Sequence, residues 1–257
     1  MPETRALVYA ATAEDVAFRR RTILDHASRV VARQGVAGCS LAEVARSSGH
    51  SIGMIQHYFG KRDALVQECI RFRSEAAVEE WTRIAAQAGD PIQVLHALLS
   101  FAVEGDEPFE EGWGFWLQIY AAAHIDPTIR DTVGEALEAW RSSFIEAIRR
   151  AQAAGVVGER LDAERVATYV VALTDGLAVQ ALTELYQTDP ATMRDYLYEF
   201  TAAQLGLDPA SFRPEASHAA GLDPEAPAPR THASAPDREG ETTHPPDHPS
   251  AHAGGAA

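Results

Sequence analysis

The sequence predicts an all-α protein of about nine helices, arranged as one small and one larger unit. Apolar residues recur at helical spacing along most of the chain, and the alternation of apolar and polar residues that marks a strand is almost absent. Three Asp-Pro pairs, beginning at Asp90, Asp126 and Asp189, combine an N-cap acceptor with a proline suited to the first helical turn. A chain of 257 residues, 46% of them hydrophobic, is long enough to give both units an apolar core.

The two ends of the chain stand apart from this pattern. Residues 208–257 hold nine of the 14 prolines and five of the ten histidines, with Ala, Gly, Ser and Thr filling most of the remainder. Such a segment cannot bury enough apolar surface to offset the loss of conformational entropy on folding. We therefore expect a disordered tail over residues 208–257 and a flexible N-terminus over residues 1–15.

Composition also excludes several classes of protein. No run without Asp, Glu, Lys or Arg is longer than the 14 residues of Gly112–Ile125, which is shorter than the roughly 20 residues of a membrane-spanning helix. Two cysteines, Cys39 and Cys69, cannot build a disulfide scaffold, and nothing else suggests export. The sequence therefore predicts a cytoplasmic protein with no membrane partner.

Charge is distributed unevenly along the chain. The window from Arg19 to Arg73 holds ten basic and four acidic residues, within a protein whose net charge is −15. This asymmetry is expected when one part of a protein binds a polyanion that the rest repels.

The basic window begins with two predicted helices. The first carries its apolar residues on one face and ends at Gly35. The second spans Leu41–Ser48 and begins with a predicted capping box, in which Ser40 is the N-cap and Glu43 reaches back to the cap backbone. Gly49 is placed to end this helix.

A short third helix, Ile52–Tyr58, follows after a tight turn, with Ser51 as its predicted N-cap. Two short helices joined by a glycine turn and braced by a preceding helix describe a helix-turn-helix. In this motif the second helix enters the major groove of DNA, where its first residues meet base edges. Gly53 allows a close approach to DNA, and Gln56, with His57 beside it, is the first candidate for base readout because a glutamine amide can bond bidentately to adenine.

These residues, from the first helix through Asp63-Ala64-Leu65, resemble in order and spacing the TetR family of transcriptional repressors, and the third helix is similar to the BetI-like branch. The resemblance implies that Tyr58 and the basic residue opening the fourth helix bind DNA phosphates. That residue is Arg62, where lysine is commoner, and Lys61 lies beside it. The candidate DNA-binding residues are thus Ser40, Ser51, Ile52, Gly53, Gln56, His57, Tyr58, Lys61 and Arg62.

The resemblance also implies the domain organisation: a helix-turn-helix domain over residues 16–62 and a helical domain for effector binding and dimerisation over residues 63–207. The last two helices would form a four-helix interface with a second copy; an apolar stripe can also pack inside its own subunit. The candidate interface residues are Val170, Leu173, Leu177, Ala181, Leu185, Met193, Leu197 and Phe200.

Aromatic residues of the larger domain predict a ligand cavity. Trp113, Trp116 and Tyr120 share one helical face, and further aromatic residues lie on neighbouring helices. An apolar aromatic cavity suits a hydrophobic or aromatic molecule, but rings beside Glu110, Glu111 or Asp175 would instead hold a cation such as a quaternary amine. The candidate lining residues are Trp81, Trp113, Trp116, Tyr120, Trp140, Phe144 and Tyr169.

Two other functions compete with this interpretation. His244, His248 and His252 recur every four residues and could serve a metal-responsive regulator, but the intervening prolines prevent the helix that would align them. A helical enzyme lacks support because the chain has no nucleophile elbow, phosphate loop or zinc-binding helix motif. We expect no catalytic residue, metal site or cofactor. The predicted function is a homodimeric repressor that binds double-stranded DNA at a palindromic operator and is released by a small-molecule effector.

Overall fold

The computed structural model describes residues 12–87 and 89–212, and confirms the all-α class: these residues form helices and connecting turns, and no strand occurs among them. The helices are α1 Ala13–Gly38, α2 Leu41–Ser48, α3 Ile52–Phe59, α4 Arg62–Gln87, α5 Pro91–Glu104, α6 Phe109–Ile125, α7 Pro127–Ala153, α8 Ala163–Leu182, α9 Pro190–Leu205 and α10 Pro209–Phe212, with a 3₁₀ turn at Leu185–Gln187 between α8 and α9. None of the described helices is long and apolar enough to cross a bilayer.

Local signals place most helix ends where the sequence predicts them. Asp90, Asp126 and Asp189 each accept a hydrogen bond from a backbone N–H of the first helical turn. Gly49 ends α2 in the left-handed region, with a φ of 69°. Gly35, with a φ of 74°, interrupts α1, which then continues to Gly38.

The first helix begins earlier than the predicted boundary at residue 16. The hydroxyl of Thr12 accepts a hydrogen bond from the Asp15 backbone N–H at 3.1 Å, and the Asp15 carboxylate accepts one from the Thr12 backbone N–H at 3.0 Å. This reciprocal capping box fixes the helix start at Ala13. Residues 1–11, also predicted to be flexible, lie outside the described residues.

The short helix α10 corrects the expectation that the tail is disordered from residue 208 onward. Phe212 is buried, with its ring centroid 4.6 Å from that of His96 and 6.0 Å from that of Tyr198. The Tyr198 hydroxyl in turn donates to the His96 carbonyl at 3.0 Å. One aromatic side chain thus extends the core past α9. The rest of the tail, with its three histidines at helical spacing, lies outside the described residues.

Two apolar cores are formed, and α4 contributes to both. Leu65 and Ile70, near its start, are buried with α1, α2 and α3, whereas Trp81 and Ile84, near its end, are buried with α5, α7, α8 and α9. The N-terminal core also takes in residues of α6 and α7, including Phe115. Helix α6 therefore packs against α1, the helix that braces the helix-turn-helix.

Candidate functional site

The third helix presents its predicted DNA-binding residues on one open face. Ile55 and Phe59 are buried in the N-terminal core, while Ile52, Gln56 and His57 are exposed on the opposite side of the helix. The exposed hydroxyl of Ser51 caps this helix by accepting from the Met54 backbone N–H at 3.2 Å. Apart from its chain neighbours and the backbone of its own helix, no heavy atom lies within 4 Å of a Cβ built on Gly53. A major-groove helix needs such an unobstructed face.

The start of α2 carries half of the predicted capping box. The exposed Ser40 accepts from the Glu43 backbone N–H at 3.1 Å. The Glu43 carboxylate, however, accepts a hydrogen bond from the Gln34 amide at 2.8 Å and forms an ion pair with Arg46 instead of returning to the cap. Competing partners within reach of Glu43 thus replace the second bond of the box.

The structure gives Arg62 different partners from the phosphate that the resemblance implied. Its Nε donates to the Cys39 carbonyl at 3.0 Å, its Nη2 donates to the Val36 carbonyl, and its Nη1 lies 2.9 Å from Asp63. The guanidinium therefore binds the carbonyls that follow the break in α1 and fastens the start of α4 to them. Lys61 beside it is exposed.

A residue that the sequence did not single out anchors the other end of α3. Arg20 donates to the Tyr58 carbonyl at 2.7 Å, forms an ion pair with Glu68, and lies 4.6 Å from the centroid of the Phe59 ring. Tyr58 itself is half-buried. The partners in these two contacts are separated by 38 and 48 positions of sequence, so no local sequence pattern predicts them.

The aromatic residues of the larger core form a cavity of about 90 Å³ between α4, α5, α6, α7 and α8. All four tryptophans of the chain line it together with Tyr120. The rings of Trp81 and Trp140 lie 4.8 Å apart. Two predicted lining residues lie elsewhere: Phe144 is buried beneath Trp140, and Tyr169 is 48% exposed on another side of α8.

A carboxylate faces these rings. The Tyr120 hydroxyl donates to Asp175 Oδ1 at 3.3 Å, and both residues line the cavity. Burial raises the pKa of Asp175 to about 6, so the group is mostly ionised at neutral pH. Of the other two acids considered from sequence, Glu110 is exposed and outside the lining, and Glu111 forms ion pairs with Arg29 and Arg33 of α1.

A second set of charged residues at the cavity was missed from sequence. Arg73 is only 8% exposed, and its Nη1 lies 2.6 Å from Glu107 Oε1. Its guanidinium also lies 5.6 Å from the centroid of the Phe115 ring in the N-terminal core. Burial raises the pKa of Glu107 despite the nearby Arg73. The pair spans 34 positions of sequence and therefore left no local pattern.

Most residues of the predicted dimer stripe pack inside their own subunit. Val170, Leu177, Ala181, Met193 and Leu197 are buried. Leu173 and Phe200 are half-buried against the same core, and of the stripe only Leu185 is exposed. Helix α8 carries a second stripe of uncharged residues, and this one is exposed. It consists of Tyr169, Ala172, Gly176 and Val179.

Comparison with known proteins adds two family matches. Residues 23–69 match the model described as "Bacterial regulatory proteins, tetR family", and residues 91–206 match "BetI-type transcriptional repressor, C-terminal". Curated relatives include the HTH-type transcriptional regulator BetI of Rhizobium meliloti (strain 1021), 27% identical over 162 residues that cover 63% of this chain and 77% of the relative. BetI of Brucella melitensis biotype 2 is 23% identical over 194 residues, covering 76% and 95%.

Solved structures include a similar regulator with a bound ligand. A putative transcriptional regulator from Saccharomonospora viridis in complex with choline has a TM-score of 0.66 and 28% identity, covering 72% of this chain and 95% of that one. FadR of Bacillus subtilis in complex with stearoyl-CoA has a TM-score of 0.55 and covers 72% and 97%, but its 12% identity shows the fold alone.

Proposed function

Because this chain belongs to the TetR family of transcriptional regulators, with a BetI-type C-terminal domain, we propose that it is a homodimeric repressor released from its operator by a small quaternary ammonium cation. The observation that carries the choice of effector is the cavity in which four tryptophans, Tyr120 and the carboxylate of Asp175 meet. Such a repressor acts on chromosomal DNA in the cytoplasm.

The chemistry of the cavity favours a cation over a neutral aromatic molecule. A quaternary ammonium group against an aromatic face gains roughly 0.5–2 kcal/mol per favourable contact, and an ionised carboxylate adds attraction that a neutral ligand does not receive. The choline bound to the regulator from Saccharomonospora viridis is an ion of this class. The BetI-type family model matches residues 91–206, which supply most of the residues that line the cavity.

The size of the cavity also supports a small effector. A volume of about 90 Å³ corresponds to the space of roughly six to nine water molecules. A long acyl chain, such as the one bound to the Bacillus subtilis protein, would require the tryptophans to separate.

On the DNA side, we assign base readout to the exposed face of α3 and phosphate binding to its far end. Gln56 and His57 are free to meet base edges, while Tyr58 and Lys61 are placed for the backbone. Arg62 keeps a structural task, since its donors already serve the carbonyls near the end of α1. A lysine and a tyrosine beside a major-groove helix position it without reading sequence.

We assign the dimer contact to the exposed stripe of α8 together with the exposed Tyr196 of α9. Tyr169 and Tyr196 are each about half exposed, and Gly176 between the larger residues allows close approach of a second helix. A twofold contact uses the same patch on both copies, which suits a face with no charged residue at its centre. Two subunits then present two copies of α3 to a palindromic site.

Effector binding changes DNA affinity only if the effector prefers the conformation that fits DNA poorly. Helix α6 is the element best placed to report occupancy, because Trp113, Trp116 and Tyr120 line the cavity while Phe115 is buried in the N-terminal core. Glu111 on the same helix holds α1 through Arg29 and Arg33. A shift of α6 therefore moves the helix-turn-helix.

The test has two stages. Selection from random duplex DNA, followed by sequencing, is expected to enrich a palindrome, and Gln56→Ala is expected to blur specific positions within it. Fluorescence anisotropy on the enriched duplex then measures release by choline, with its uncharged isostere 3,3-dimethylbutan-1-ol as the control. Release by choline alone supports the proposal. Equal release by the neutral alcohol, or none by either compound, contradicts the assignment of a cationic effector.

A further inference from the structure

Two donors at the cavity have no hydrogen-bond acceptor among the described residues. These are Nε1 of Trp81 and Nε of Arg73, and both atoms are buried. Both residues line the cavity. By contrast, Nε1 of Trp113 at the same cavity donates to the Ala102 carbonyl at 2.8 Å. Buried N–H groups are nearly always paired, and leaving one unpaired costs free energy, so two such donors around one cavity indicate an acceptor supplied by the ligand.

The charges around the cavity restrict what kind of acceptor this is. Arg73 is the lining cation, and its Nη1 is already bound to Glu107. Asp106 and Asp175 add further negative charge to the lining. A carboxylate on the effector would have to compete with Glu107 for Arg73 and would be repelled by the other acids. An uncharged oxygen accepts a hydrogen bond without either cost.

We infer that Trp81 and Arg73 are specificity-determining residues that recognise an uncharged oxygen acceptor on the effector. This inference rests on the proposed function, because it assumes that a quaternary ammonium ion occupies the cavity. The two residues are eight positions apart on α4, about 12 Å along the helix axis, so a small effector places its oxygen against one donor or the other. The ligand class is therefore a hydroxylated quaternary ammonium cation, and a zwitterion with a carboxylate is discriminated against.

Three trimethylammonium ions separate these contributions by isothermal titration calorimetry with the full chain. Choline carries the hydroxyl, ethyltrimethylammonium lacks it, and glycine betaine carries a carboxylate in its place. We expect choline to bind about three- to tenfold more tightly than ethyltrimethylammonium, the usual effect of one hydrogen bond. We expect glycine betaine to bind at least about tenfold more weakly than choline, because its carboxylate meets Glu107 and Asp106.

Variants then assign the donor through the ratio of the two dissociation constants, ethyltrimethylammonium over choline. Trp81→Phe removes the indole N–H and keeps an aromatic ring, and Arg73→Lys keeps the charge for Glu107 but removes Nε. The ratio is expected to fall to about one in whichever variant loses the donor used. Trp113→Phe is the matched control, since its N–H already serves Ala102 and the ratio should stay at the wild-type value. Any general loss of packing affects both ions alike and cancels in the ratio.

The outcomes distinguish the effector class from the recognition of its oxygen. If no trimethylammonium ion binds to the wild-type protein, the proposed effector class fails and this inference fails with it. If ethyltrimethylammonium binds as tightly as choline, the effector class stands and the role of the oxygen is overturned. A ratio that survives in both Trp81→Phe and Arg73→Lys removes these two residues as its readers. Glycine betaine bound as tightly as choline overturns the requirement for an uncharged acceptor.

Discussion

The replacement of Asp175 by Asn should make the unliganded protein more stable and the effector weaker-binding. Burial raises the pKa of Asp175 from its ordinary 3.8 to about 6, which corresponds to about 3 kcal/mol at 1.36 kcal/mol for each pKa unit. This figure is an upper limit, since water still reaches part of the side chain. Asn removes the charge and keeps an oxygen that can accept from the Tyr120 hydroxyl.

The sign follows from the order in which the two states lose the proton. Well below pH 4 the acid is neutral in both the folded and the unfolded chain, and Asp175 costs nothing. As the pH rises from about 4 to about 6, the unfolded chain ionises first and unfolding becomes easier. Above pH 6 the cost is complete. Asp175→Asn should therefore raise the free energy of unfolding by up to about 3 kcal/mol at pH 7.5, with the difference becoming small by pH 4 and disappearing well below it.

The same substitution removes an attraction for the effector. A unit charge about 4 Å from a carboxylate gains about 4 kcal/mol at an effective dielectric constant of 20. The free-energy cost of burying the charge of Asp175 offsets part of this gain. We expect choline affinity to fall by about tenfold or more in the variant. In the wild-type protein the affinity should decline as the pH falls through 6, because protonation neutralises Asp175. The affinity of the variant should lack this decline.

Urea unfolding at one fixed protein concentration, from pH 4 to pH 7.5, measures the first effect, and calorimetric titration with choline measures the second. Tyr120→Phe is the control, because it removes the hydrogen bond to Asp175 and retains the carboxylate. If the free energy of unfolding depends on pH in the same way for the wild-type protein and Asp175→Asn across this range, the charge of buried Asp175 does not destabilise the fold. Unchanged choline affinity would show that Asp175 does not face the bound cation.

Three further predictions concern DNA binding and assembly. Lys61→Ala should weaken binding to all DNA sequences alike and reduce the salt dependence of binding by about two phosphates per dimer. Arg62→Ala should chiefly lower the melting temperature. The reverse pattern would identify Arg62 as the phosphate contact. Gln56→Ala should cost about 1–3 kcal/mol per lost base contact and relax specificity there, and an unchanged preference profile would exclude Gln56 from readout. Val179→Glu should convert the dimer to a monomer by analytical ultracentrifugation, while the exposed control Glu135→Arg on α7 should not; a dimer that persists in Val179→Glu places the interface elsewhere.

The features that the sequence predicted correctly depend on near neighbours in the chain. The caps at Ser40 and Ser51 and the left-handed residue at Gly49 are properties of a few adjacent positions, so they can be read from residue types. The periodicity of Trp113, Trp116 and Tyr120 likewise placed three aromatic residues on one face, and they do meet at the cavity.

The features that the sequence missed depend on distant partners. The sequence did not reveal the Val36 and Cys39 carbonyls that Arg62 binds, because no local pattern shows that they lie within its reach. Helix α8 carries two uncharged stripes, and periodicity alone does not decide which one enters the core. The larger aliphatic residues, such as Val170 and Leu177, are buried within the subunit, and the stripe interrupted by Gly176 stays exposed.

The ion pair between Arg73 and Glu107 connects the cavity with the N-terminal core. Arg73 lines the cavity and lies against Phe115, which is buried in the N-terminal core, while Glu107 lies in the turn between α5 and α6. The proposed cation would be attracted by Glu107 and repelled by Arg73, and we expect it to loosen their ion pair. Since Arg73 is almost fully buried, we expect a weakened pair to be relieved by movement of α4 or of the turn that leads into α6. Helices α4 and α6 both contribute residues to the N-terminal core. Cation binding in the cavity is therefore expected to oppose the conformation that binds DNA.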